Sequence, residues 1–427
     1  MPNWIKCYAH PKLWLIALMG ISCGMPLALI TKTMTVWLSE YGISKTTIGL
    51  FVFVGMPYTL KFLWAPFIDH FKIPILTKKL GQRRSWLLVF QILLLVTILV
   101  LSTLDPKQNL QAIAVLCVII AFFSATQDLI VDGYRIQILR ADLLAAGGTM
   151  EVFGYRMGML LSGAGVLYIA SIASWSISYR LIAFVMLLGI ATTLFLAPRQ
   201  EIISERVHGF KGAMNSMIIA PFRDFMNHNN WAVALIFIIC FKVSDAMIAQ
   251  MSSPFYLELG FSKVDIATAS KLYGFWAILL GGFIGGALVQ NIGIRKSLFL
   301  FGAAHALSNC MFLVQYLFGA DHFLFYTSVS MENLTLGMML SALIAYLSGL
   351  CNPKFATTQY ALMMSIAAFS QNFLASSSGF LVDFLGWSSF FCVTLCLALP
   401  GLALIRYIPL GRFEEQEEMS SSHSYSI

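Results

Sequence analysis

The 427-residue chain is 59% hydrophobic and only 11% charged, with a mean hydropathy of +0.79. A soluble protein of this length exposes more polar surface than that composition supplies, so a water-soluble globular fold is excluded. The formal charge of +7 lies in short loops and reads as membrane topology, which removes the argument for a nucleic-acid partner.

Apolar runs of about twenty residues, enough to cross a hydrocarbon layer of about 30 Å, predict spans at 12–30, 46–68, 86–104, 110–135, 151–172, 179–197, 230–250, 268–290, 297–316, 325–349, 357–381 and 387–408. The runs are too long and too little alternating for a β-barrel. The fold class expected is an all-α polytopic membrane protein with 12 transmembrane helices in two six-helix bundles.

The stretch from Met1 to Pro11 shows no cleavable leader and enters the first span directly. Span two carries Tyr58, Lys61 and Trp64, with Pro57 and Pro66 as bend points; Lys61 either faces a cavity or snorkels to the interface. The loop 69–85 is basic, with Lys72, Lys78, Lys79, Arg83 and Arg84. Span four holds Gln127-Asp128 and Asp132-Gly133-Tyr134-Arg135. Asp128 and Asp132 lie one turn apart, and closely placed carboxylates can load and release a proton. The alternative is a gate network that carries no proton. Glu151, Tyr155 and Arg156 open span five, where Gly154-x-x-x-Gly158 permits close helix approach.

The linker 200–229 is the longest polar stretch and divides the spans six and six. It separates an N-terminal bundle (1–199) from a C-terminal bundle (230–410), with a disordered tail at 411–427. Basic residues in loop 69–85, in the linker and at Arg295-Lys296 outnumber those in the opposite loops (Lys45, Lys107, Lys263), placing both termini in the cytoplasm. The turn Gly81-Gln82-Arg83-Arg84 is echoed by Gly293-Ile294-Arg295-Lys296, as an internal repeat of the two halves would require.

In span seven Lys242 and Asp245 share a helix face, either as a substrate or proton contact or as a structural ion pair. Span eight is dense in glycine (Gly281, Gly282, Gly285, Gly286) and carries Tyr273 and Trp276. Glu332-Asn333 in span ten and Gln371-Asn372 in span eleven are deeper polar pairs, while His305 and Asn309 read as interhelical hydrogen bonds. Tyr58, Trp64, Tyr134, Tyr155, Tyr273 and Trp276 are aromatic candidates for a cavity. The gating candidates are Arg135, Glu151, Arg83 and Arg84. The eight cysteines show neither metal-ligand spacing nor a disulfide framework, and no nucleotide-binding loop is present. No metal, cofactor or enzymatic site is expected; a proton gradient is the simplest driver.

Several blocks resemble the AmpG muropeptide permease family within the major facilitators. They are Gly20-Ile21-Ser22-Cys23-Gly24-Met25-Pro26-Leu27, Leu60-Lys61-Phe62-Leu63-Trp64-Ala65-Pro66-Phe67-Ile68-Asp69, Ala125-Thr126-Gln127-Asp128-Leu129-Ile130-Val131-Asp132-Gly133-Tyr134-Arg135, Phe241-Lys242-Val243-Ser244-Asp245 and Phe355-Ala356-Thr357-Thr358-Gln359-Tyr360. The resemblance implies a Gram-negative inner-membrane secondary transporter, monomeric, that imports N-acetylglucosaminyl-1,6-anhydro-N-acetylmuramyl peptides for peptidoglycan recycling by proton symport. On that footing Lys61, Arg156 and Lys242 would meet peptide carboxylates, and Gln127, Asn333, Gln371 and Asn372 amides and hydroxyls. Asp128 or Asp132 would carry the proton, with Asp245 in reserve. The rivals are transport of another organic anion (a CoA ester, a siderophore, a small nutrient) and a membrane sensor or assembly role on a transporter scaffold.

Overall fold

The computed structural model describes residues 7–199 and 219–413, and every regular element in them is helical. The long elements are α1 (Pro11–Glu40), α2 (Thr46–Leu63), α3 (Gln82–Leu101), α4 (Leu110–Ile138), α5 (Ala141–Ile172), α6 (Trp175–Leu196), α7 (Trp231–Glu258), α8 (Val264–Ile292), α9 (Ile294–Phe318) and α10 (His322–Leu350). They are followed by α11 (Ala356–Ala375) and α12 (Ser378–Leu404), the latter broken at Gly386, whose φ of 74° is not helical. Eleven of these elements are long and apolar enough to cross a membrane, where the sequence predicts twelve. The exception is α11. Its 20 residues reach about 30 Å, but Thr357-Thr358-Gln359 and Gln371-Asn372 make both of its ends polar.

α2 is segmented for a covalent reason. Pro57 and Pro66 each stand in the first turn of a short helix, Met56–Leu60 and Ala65–His70, and 3-10 turns precede the two helices at Phe51–Gly55 and Lys61–Leu63. Proline has no N–H to give and its ring crowds the turn before it, so a helix start is where it fits.

Two turns recur in sequence and in geometry between the N-terminal and C-terminal parts. Glu40-Tyr41-Gly42-Ile43-Ser44-Lys45 after α1 is matched by Glu258-Leu259-Gly260-Phe261-Ser262-Lys263 after α7. Gly42 and Gly260 both have positive φ (76° and 103°), which glycine alone adopts without strain. Ser44 and Ser262 each cap the next helix. Glu40 and Glu258 accept hydrogen bonds from the indoles of Trp175 and Trp387 at 3.0 and 2.8 Å. The second repeat opens α3 and α9, where Gly81 and Gly293 share φ near 80–88° and Ser85 and Ser297 donate back to their carbonyls.

α1 and α5 cross at backbone contact. A Cβ on Gly20 or Gly24 would strike the backbone of Glu151 or Tyr155, and one on Gly154 or Gly158 the carbonyls of Ala17 or Ile21. Gly281 and Gly285 meet α10 in the same manner. We expect Gly154→Leu to pry α1 from α5 and lower the thermal midpoint in detergent, at a cost of about 1–3 kcal/mol. An unchanged midpoint would mean the crossing tolerates a side chain.

The tail expected to be disordered from residue 411 begins ordered. Gly411–Phe413 form a 3-10 turn, with Phe413 buried against Gly349. The rest of the tail, 414–427, and linker residues 200–218 lie outside the described residues.

Candidate functional site

At the end that carries Cys7, Phe225 and Phe413, the two parts share one core; at the opposite end each has its own. The largest apolar cluster joins Leu13, Leu144 and Met150 to Phe237, Leu343 and Leu347. Toward the other end, a cluster around Trp37, Trp175 and Tyr179 contains only residues of the N-terminal part. Another, around Phe255, Phe312 and Trp387, contains only residues of the C-terminal part.

Hydrogen bonds between the parts, among the described residues, follow the same division. Tyr8 donates to the Phe283 carbonyl at 2.8 Å and Thr149 to the Gly282 carbonyl at 2.9 Å. Asp69 accepts from both the backbone N–H and the hydroxyl of Thr358, at 2.8 and 2.9 Å. Arg412 donates to the carbonyls of Ile136 and Leu139 at the end of α4, where a cation also complements the helix dipole. Further from this sealed end, Arg156 lies 5.8 Å from the Phe275 ring, halfway along α5 and near the middle of α8.

Two buried arginines organise the seal. Arg135, with no exposed surface, pairs with Glu151 and with Asp132 (3.2 Å), donates to Ser348 across the seam at 2.8 Å and lies 5.3 Å from the Tyr360 ring. A guanidinium removed from water needs such a full set of partners. Arg83 is held by Asp69 (2.9 Å), the Gly133 carbonyl (2.9 Å) and Gln137 (2.6 Å), and reaches the Pro353 carbonyl across the seam at 3.2 Å. Arg84, its neighbour among the gating candidates, turns away and donates to the carbonyls of Thr193 and Leu194 within the N-terminal part.

Asp128, Asp132 and Arg135 form one stripe of α4, as spacings of four and three dictate. Asp128 lies one turn further from the seal than Asp132. It forms no ion pair among the described residues, and its Oδ1 is buried without a hydrogen-bond partner. Lys61 is within its electrostatic reach, as are Tyr58 and Tyr155. Residues off the stripe do other work. Gln127, fully buried, donates to Ser22 (3.0 Å) and the Cys23 sulfur (3.2 Å) on α1. Trp64 donates to Thr126 at 3.0 Å, and fully buried Tyr134 donates to the Pro198 carbonyl at 3.0 Å. Arg156 is half-buried and has no carboxylate partner among the described residues.

In the C-terminal part Lys242 pairs with Asp245 at 2.7 Å, Asp245 faces His305 Nε2 at 3.5 Å, and His305 Nδ1 lies 3.2 Å from the Thr335 hydroxyl. The chain of contacts links α7, α9 and α10 within that part. Asn333 donates one turn back to the Val329 carbonyl at 2.9 Å. Tyr273 packs on Tyr326 at 4.6 Å, and Trp276 is exposed beside Phe275. Gln371 is half-buried, and the Asn372 side chain lies outside the described residues. The fold thus gathers Lys61, Asp128, Tyr58 and Tyr155 in one place, Arg135, Glu151, Asp132 and Arg83 in a second, and Lys242 and Asp245 in a third.

Sequence reasoning missed Tyr8, Thr149, Thr358 and Arg412 as seam residues. Asp69 was visible only as the last residue of the Leu60–Asp69 block that carries the family resemblance, with no role attached. We expect Asp69→Asn to loosen the seal, because it weakens hydrogen bonds to a charged acceptor worth about 1.5–3 kcal/mol each. Cys351, buried beside the seam, should then react with a small thiol reagent roughly tenfold faster. An unchanged rate would remove Asp69 from the gate.

Residues 12–185 match the family model described as acetyl-coenzyme A transporter 1, and residues 244–421 match that of the major facilitator superfamily. A relative named AmpG 4 in Rickettsia conorii is 35% identical over 408 residues, covering 94% of this chain and 98% of its own. The anhydromuropeptide permease of Escherichia coli (strain K12) is 33% identical over 405 residues, covering 94% of this chain and 81% of its own. Among solved structures, the proton:xylose symporter XylE bound to 6-bromo-6-deoxy-D-glucose aligns with a TM-score of 0.68 at 11% identity, covering 98% of this chain and 99% of its own. A bacterial homologue of the iron transporter ferroportin in an outward-facing state aligns at 0.64 and 10% identity, covering 92% and 98%. At such identities the structural likeness concerns the fold alone.

Proposed function

We propose that this chain, which belongs to the AmpG-type permease family of the major facilitator superfamily, imports anhydromuropeptides from periplasm to cytoplasm by proton symport. It works by alternating access between the bundles 1–199 and 230–410, joined by the linker 200–229, in the inner membrane of a Gram-negative bacterium with both termini cytoplasmic. The observation that carries the reading is Asp128, a carboxylate within electrostatic reach of Lys61 but without an ion pair among the described residues, just beyond a sealed seam. Lys61 nearby and the Cys23 thiol do not close an ion pair on this buried carboxylate, and a buried charge without one costs several kcal/mol, so the site calls for a proton during the cycle.

Lys61 and Arg156 receive peptide carboxylates, and Tyr58 and Tyr155 supply faces for the sugar rings. Asn333, Gln371 and Asn372 offer amides to the hydroxyls. Asp132 belongs to the gate through Arg135 rather than to proton transfer. Lys242 and Asp245, already paired, brace the C-terminal bundle. A second reading, transport of a CoA ester, draws on the match of residues 12–185 to the acetyl-coenzyme A transporter model.

The test is uptake of a defined anhydromuropeptide into proteoliposomes under an imposed pH gradient. Saturable accumulation that collapses with a protonophore is expected. Uptake of a CoA ester in its place would favour the second reading, and no flux of any solute would favour a sensor or assembly role.

A further inference from the structure

The repeated turn that opens α3 and α9 has diverged in the use of its basic residues. In the first copy Arg83 and Arg84 are 5% and 7% exposed, and both are consumed by carbonyls and carboxylates of the protein. In the second copy Arg295 and Lys296 are exposed. Arg295 makes one hydrogen bond, to the Ile408 carbonyl at 3.3 Å; Lys296 and nearby Arg406 have neither a hydrogen bond nor an ion pair among the described residues.

These three cations rim a groove of about 540 Å³ between α9 and the end of α12, and no carboxylate lines it. Its walls are apolar, formed by Phe299, Leu300 and Leu402, with Phe299 and Leu300 about half exposed. The groove begins where two membrane-length helices end, on the side of the molecule that carries Cys7 and Phe413. A cluster of cations at that depth over an apolar wall matches one class of molecule, a negatively charged headgroup on acyl chains.

We propose that the α9–α12 groove binds an anionic phospholipid. Its phosphate sits among Arg295, Lys296 and Arg406, and an acyl chain lies along Phe299, Leu300 and Leu402. The site is separate from the solute path and does not depend on the transported substrate.

The experiment uses the full-length protein in detergent with added phosphatidylglycerol or phosphatidylcholine, read by native mass spectrometry and thermal shift. Phosphatidylglycerol should bind and raise the midpoint while phosphatidylcholine does neither. The double variant Lys296→Gln/Arg406→Gln should bind phosphatidylglycerol about 30-fold more weakly, the factor expected from two surface cations of about 1 kcal/mol each. Lys296→Arg/Arg406→Lys should retain binding, which separates lost charge from a damaged fold. Equal binding of the two lipids, or undiminished binding by the Gln variant, overturns the proposal. So does competition by free glycerol 3-phosphate at the lipid's own concentration. Lipid binding seen only after removal of residues 414–427 also overturns it, since the acidic stretch Glu414-Glu415-Gln416-Glu417-Glu418 would then be the groove's occupant.

Discussion

Proteoliposomes containing Asp128→Asn are expected to show no uphill uptake under an imposed pH gradient, although solute exchange across the membrane persists. The substitution keeps the shape of the side chain and removes its ability to gain and lose a proton. A gradient of one pH unit supplies about 1.4 kcal/mol per proton, which sustains roughly tenfold accumulation at one proton per solute. The variant's ratio should fall from that value to one. Asp132→Asn makes the contrast, because Asp132 is already paired with Arg135 and should affect the rate of the cycle rather than its thermodynamic coupling. Retained accumulation by Asp128→Asn would falsify the assignment of proton coupling to this residue.

Arg135→Gln is expected to be the most damaging single substitution in the seal. It strips Glu151 and Asp132 of their shared cation and cuts the hydrogen bond to Ser348 across the seam. Removing one partner from a buried ion pair costs about 3–5 kcal/mol, because a charge is left unpaired. Transport should be lost and the thermal midpoint lowered. Adding Glu151→Gln should recover part of the stability, since it removes one of the stranded carboxylates; a double-mutant cycle measures the coupling. Arg135→Lys should not substitute, as an ammonium lacks the planar fork that serves two carboxylates and a hydroxyl at once. If the double variant is no more stable than Arg135→Gln, the pairing with Glu151 contributes little.

The stripe of Asp128, Asp132 and Arg135 was legible because helical spacing alone puts these residues on one face. The same spacing placed Gln127 and Tyr134 off that face, yet residue type made them look like ligand contacts. Only packing revealed that one closes against α1 and the other against Pro198, just after α6. The Glu-x-Gly turns after α1 and α7 were equally readable as a repeat. What they fix was not readable, because Glu40 and Glu258 bond Trp175 and Trp387, 135 and 129 residues away in the chain. Tyr8 and Arg412 carry no such signal, since their partners lie more than 270 residues away in the chain.

Composition and periodicity determined the solvent, the helical class and the positions of nearly all the long elements, because a hydrocarbon environment permits few alternatives. They also located the glycines on which helices cross. What tertiary structure alone decided was pairing: that Lys242 and Asp245 satisfy each other, that Arg135 joins the two parts, and that Asp128 is left without an ion pair among the described residues. Burial of charge is a property of what surrounds a residue from distant segments, and sequence neighbours within one helix do not reveal it.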